Sequence, residues 1–121
     1  MKILVFGNPF INGDSIVFNI VKKLKRKFCF KILESVEDIE NEGKNLLILD
    51  SAEGISKICI LKDLDRLETN ALYSMHDFDI ALTLKLLKKI GKIESVTIIA
   101  VPKGYALKKA LIETELAITK L

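Results

Sequence analysis

Two unbroken apolar runs constrain this chain more than anything else in it. Residues 3–6 read Ile-Leu-Val-Phe, and residues 46–49 read Leu-Leu-Ile-Leu. Neither alternates with polar residues, so neither reads as a strand with one wet face. Short continuous runs bounded by turn residues read as strands buried on both faces, which is the signature of a parallel sheet covered by helices. Residues 95–101 read as the last strand, which is stopped by Pro102.

Helical spacing fills the gaps between the runs. Ile16, Val17, Ile20, Val21, Leu24 and Phe28 recur at three and four residues, with Asp14 or Ser15 placed to cap them. Residues 78–90 form a second helix, with Ser74 and Asp77 as a capping box and Gly91 as its end. Residues 105–121 close the chain with a helix whose apolar stripe is Leu107, Ala110, Leu111, Ala117, Ile118 and Leu121. Residues 29–33 read as another strand. Residues 34–44 are acidic and read as a loop with a helical turn.

One strand must run against the others. Only residues 51–56 separate the strand ending at Asp50 from the apolar run at 57–61, and a parallel crossover needs about a dozen residues or more. The expectation is therefore a three-layer α/β/α domain, residues 1–121. It has a mainly parallel five-stranded sheet with one antiparallel strand at about 57–61. With 121 residues, one core suffices.

Several classes are disfavoured. No run approaches the roughly 18 apolar residues of a membrane helix, and the short apolar start lacks a signal-peptide cleavage site. A cytoplasmic protein without membrane contact is expected, a monomer by default. The net charge is +3, with lysines gathered late in the predicted helices, where cations suit the dipole. Interleaved aromatics that would mark a nucleic-acid surface are missing, so no nucleic-acid partner is expected. Cys29 and Cys59 sit in apolar runs and read as buried free thiols.

In open α/β sheets, ligands bind beyond the carboxyl ends of the parallel strands. Three polar sites should meet there. Asp14 follows the first strand, Asp50 ends the third, and His76, the one histidine, opens the helix before the last strand. For His76 to reach that edge, residues 62–75 must run back along the antiparallel strand. Fourteen residues span roughly 45 Å when extended, against about 20 Å for a six-residue strand. Two carboxylates and an imidazole suit nickel, zinc, cobalt or manganese with positions left open. Each residue also has a plain reading: Asp14 as a helix cap, Asp50 in an Asx turn, His76 in a first helical turn.

The segment Val5-Phe6-Gly7-Asn8-Pro9-Phe10-Ile11-Asn12-Gly13-Asp14-Ser15 resembles the opening of the nickel–iron hydrogenase maturation proteases. Leu47-Ile48-Leu49-Asp50-Ser51-Ala52 is similar to their strand ending in aspartate, and Ser74-Met75-His76-Asp77-Phe78 to their histidine at a helix start. The chain has Gly13-Asp14 where the family has an acidic pair, and is shorter than its relatives. The resemblance implies an endopeptidase that removes the C-terminal extension of a hydrogenase large-subunit precursor after nickel insertion. It implies that Asp14, Asp50 and His76 are the catalytic and metal-binding residues, meeting nickel carried by the precursor or another divalent metal. The alternative is a relative that binds a metalloprotein precursor without cutting it. A nucleotide site at the first turn is disfavoured, because the glycine spacing and P-loop lysine are missing.

Overall fold

The computed structural model describes residues 2–6, 15–62, 74–75 and 78–121. Its elements run β1 (Lys2–Phe6), α1 (Ile16–Leu24), β2 (Cys29–Leu33), a 3-10 segment (Val36–Glu42), β3 (Asn45–Glu53), β4 (Cys59–Leu61), β5 (Ser74–Met75), α2 (Phe78–Lys89), β6 (Ser95–Pro102) and α3 (Leu107–Thr119). The main path of the sheet is β2-β1-β3-β6-β4. β1 pairs in parallel with β2 and β3, and β3 with β6. β4 runs antiparallel to β6, with Cys59 opposite Ala100 and Leu61 opposite Ile98. The expected five strands, with one reversed, are therefore present.

Alternation along the strands builds two cores. Ile3, Val5, Leu47, Leu49, Ile99 and Val101 point to one face, where α1 and α3 cover them with Phe18, Ile20, Ala110 and Ile118. Leu4, Ile48, Val96 and Ile98 point to the other, under Leu84 and Leu87 of α2 and Ile39 of the 3-10 segment. These are the three layers, and they explain why the central runs carry no polar alternation.

The helix ends follow local chemistry. Ser15 is the N-cap of α1, and its Oγ accepts from Phe18 N–H at 3.3 Å. Gly91 closes α2 at φ +81°. Its N–H donates to Lys88 O at 3.2 Å and Lys92 N–H donates to Leu87 O at 2.9 Å, the paired bonds of a Schellman motif.

Several boundaries differ from expectation. β3 does not stop at Asp50 but continues to Glu53, because β6 offers backbone partners up to Pro102 and β5 pairs antiparallel at Ala52 and Glu53. β4 begins at Cys59 rather than 57. Ser74 lies in β5, and α2 begins at Phe78. The final helix ends at Thr119 and leaves Leu121 exposed. Cys29 is exposed and Cys59 only partly buried. β2 is an edge strand, and near its start only the Phe30 and Ile32 side is covered.

Candidate functional site

The strand order creates a switch point. From β1 the chain passes through α1 to β2 on one side, then returns to place β3 on the other side of β1. α1 lies on one face of the sheet, while the 3-10 segment between β2 and β3 lies on the opposite face. The connections thus part on either side of β1, the arrangement at which open α/β sheets bind ligands beyond the carboxyl ends of their strands.

Asp50 stands at this point. It lies two residues past the Leu4–Ile48 pairing of β1 with β3, and opposite Ala100 of β6. It is 6% exposed. Its Oδ1 accepts the backbone N–H of Ser51 at 2.8 Å. Alternation places it on the face of Ile48, the face that α2 covers. A buried carboxylate on a central strand is costly unless it is compensated.

Asp14 and His76 lie outside the described residues; their immediate neighbours do not. Asp14 precedes Ser15, and the cap role that either residue could have filled belongs to Ser15. His76 follows Met75, which pairs with Ala52 two residues beyond Asp50. The chain after β4 has therefore returned to the carboxyl edge by β5, as the length argument required. Among the described residues, no group of three His, Cys, Asp or Glu side chains could hold a metal.

A cleft of about 420 Å³ opens at the same edge, between the turns that follow β3 and β6. Glu53, Gly54, Lys103, Gly104 and Tyr105 line it. Lys103 ties the turns together: its N–H donates to Ala52 O at 3.1 Å, and its Nζ lies 3.1 Å from Glu53 Oε1. Lys109 Nζ sits 5.0 Å from the centre of the Tyr105 ring. The neighbouring Glu113 carboxylate holds the Tyr105 phenol above its ordinary value. In the sequence the cleft is marked only by Pro102-Lys103-Gly104, a turn signal.

A second cleft, about 370 Å³, lies at the amino edge beside Lys2, Glu42, Asn45, Ser95 and Thr97. Its polar groups serve one another. Glu42 pairs with Lys2 at 2.6 Å and Lys31 at 2.7 Å, and Ser95 Oγ donates to Asn45 Oδ1 at 2.7 Å. It is a structural cluster at the edge opposite Asp50.

The fold as a whole is shared with a solved structure. The chain superposes on the hydrogenase maturating endopeptidase HybD from E. coli with a TM-score of 0.59, covering 99% of this chain and 93% of that one at 20% identity. It has the fold of a maturation endopeptidase. The solution structure of an endopeptidase from Escherichia coli matches with a TM-score of 0.55 at 20% identity, covering 98% of this chain and 90% of that one. No protein-family model and no curated protein matches the sequence. Among the described residues no helix is long and apolar enough to cross a membrane.

Proposed function

We propose that this chain is a hydrogenase maturation endopeptidase, cutting the C-terminal extension from a large-subunit precursor in the cytoplasm. The observation that carries the reading is Asp50. A carboxylate is buried in the carboxyl-terminal half of β3, in a fold shared over nearly the full length with a maturation endopeptidase. Asp14 and His76 complete the proposed donor set. Support for Asp14 is that Ser15 already supplies the cap. Support for His76 is that the preceding residue, Met75, is paired beside the end of β3.

The nickel belongs to the substrate. Two carboxylates and an imidazole suit its coordination and leave positions for ligands from the precursor. A metal held there supplies Lewis acidity to a nearby carbonyl or water. The three side chains orient the loaded precursor, so a precursor without nickel is poorly held and stays uncut. The cleft beside Lys103 and Tyr105 lies at the same edge and offers room for the peptide to be cleaved.

The test has two stages. His76 is the one histidine, so its imidazole NMR signals can be followed without assignment ambiguity while zinc or cadmium is added. Saturable perturbation, lost in both Asp14→Ala and Asp50→Ala, is expected. The second stage incubates the protein with nickel-loaded and nickel-free precursor. Cleavage of the loaded form alone supports the peptidase. A stable complex without product would instead support the non-cleaving relative, a reading favoured by Gly13 standing where the family carries a second acid.

A further inference from the structure

α2 is apolar on two sides, and among the described residues one of them packs on the sheet. Leu84 and Leu87 are buried against the sheet. Leu82, Leu86 and Ile90 point away from it, 52%, 57% and 59% exposed. Ile90 follows the last helical residue, but its N–H still donates to Leu86 O at 3.1 Å, which keeps it in line with the others. Three large aliphatic side chains four residues apart form a continuous ridge about 12 Å long, at 1.5 Å per residue. A helix with solvent on its outer face normally carries polar residues there.

The spacing and the charge describe the occupant. An i, i+4, i+8 ridge is the feature that seats in the groove between side-chain rows of a second helix. Around it the sequence places Lys85, Lys88, Lys89 and Lys92, with no carboxylate between residues 82 and 92. Lys88, Lys89 and Lys92 are exposed. The acid of this helix, Asp79, belongs to its first turn. A two-fold pairing of two copies through this patch would bring two such lysine sets together, which is unfavourable. A membrane-surface helix would carry interfacial aromatics, and residues 82–92 contain none.

We propose that the Leu82–Leu86–Ile90 ridge is a docking surface for an amphipathic helix of another protein, one with an aliphatic stripe bordered by glutamate or aspartate. The aliphatic stripe fills the ridge's flanks, and the acidic border meets Lys89 beside the ridge, with Lys92 just beyond the helix end. This surface is on the outside of the α2 layer and is independent of the peptidase reading.

The test uses the full chain and a synthetic helical peptide of leucine, alanine and glutamate, with leucines at alternating three- and four-residue spacing. Fluorescence anisotropy should show saturable binding that weakens with added salt. Leu86→Asp should weaken it by roughly tenfold or more, as expected for a central anchor. Lys89→Glu should weaken it as well. A peptide with lysine in place of glutamate should not bind. Because Leu82 and Leu86 are exposed, both variants should keep the wild-type circular dichroism; Leu82→Gln gives a milder second reading of the same surface. Four results would each overturn the proposal: no saturation by the acidic peptide; binding unchanged in both leucine variants; a dimer in sedimentation that Leu86→Asp dissolves; or binding to anionic phospholipid vesicles in preference to the peptide.

Discussion

Replacing Asp50 by asparagine exchanges one oxygen for nitrogen and leaves the shape of the side chain unchanged. The Ser51 N–H can still donate to the remaining oxygen, so the fold should stay within about 1 kcal/mol of wild type. Metal perturbation of His76 and cleavage of the precursor should both disappear, because an amide is a poor ligand for a divalent ion. Thermal melting alongside the NMR titration separates the two effects; a melt lowered in step with lost activity would make Asp50 structural. Glu42 gives a pH-dependent prediction at the opposite edge. Hydrogen bonds from Lys2 and then Lys31 hold its carboxyl below the ordinary 4.5 despite its burial. A depressed folded pKa contributes stability that is present above the unfolded value and is lost as pH falls through the folded one. Glu42→Gln should therefore cost about 1 kcal/mol at neutral pH, a low figure because both lysines are half exposed. Urea melts of the two proteins should converge only below pH 4.5. Of these two carboxylates, Asp50 was legible in the sequence, since an acid after four apolar residues has few places to go. Glu42 was not, because its lysine partners come from two other strands and nothing local marks it.

At the scale of elements, a helix end and a helix interior give contrasting tests. Gly91 takes a left-handed φ of +81°, yet a Cβ built there meets nothing within 4 Å. Gly91→Ala should thus cost only the backbone term, about 1 kcal/mol, with no packing penalty. Gly91→Asn should cost less, and chemical denaturation of the three proteins would show that order. In α3, Thr114 is fully buried and its Oγ1 has no hydrogen-bond partner among the described residues. Thr114→Val should be neutral or stabilising by up to about 1 kcal/mol, because a lone buried hydroxyl carries a desolvation cost. A loss of stability larger than that would mean that the hydroxyl is compensated. Gly91 was readable as a helix stop because glycine suits a left-handed C-terminal residue. The direction of β4 was readable from connection length alone, and the longer β3 makes that argument stronger, since only residues 54–58 join the two strands. β5 was hidden, because two residues carry no periodicity and acquire a strand partner only once Ala52 and Glu53 are in place.

On the scale of the molecule, the sheet divides one hydrophobic content into two cores, and Ile48 is where the division is most exposed to test. It is fully buried on the α2 face. Its strand neighbours are Leu4 on β1 and Ile98 on β6. Leu49, one residue on, is fully buried on the other face against α1 and α3. Ile48→Ala removes three carbons from the α2 side, and Leu49→Ala removes as many from the other. Each should cost about 3 kcal/mol, with the exact loss set by how far the site collapses. If the two cores fold as one unit, both variants should keep a single transition, lowered for every probe alike. Hydrogen exchange should then slow to the same limit in β3, α1 and α2. If the α2 layer opens separately, Ile48→Ala should speed exchange in α2 and leave α1 and α3 unchanged. The first outcome is expected because β3 donates alternate side chains to both cores, so neither can be lost without releasing the strand that holds Asp50 in place.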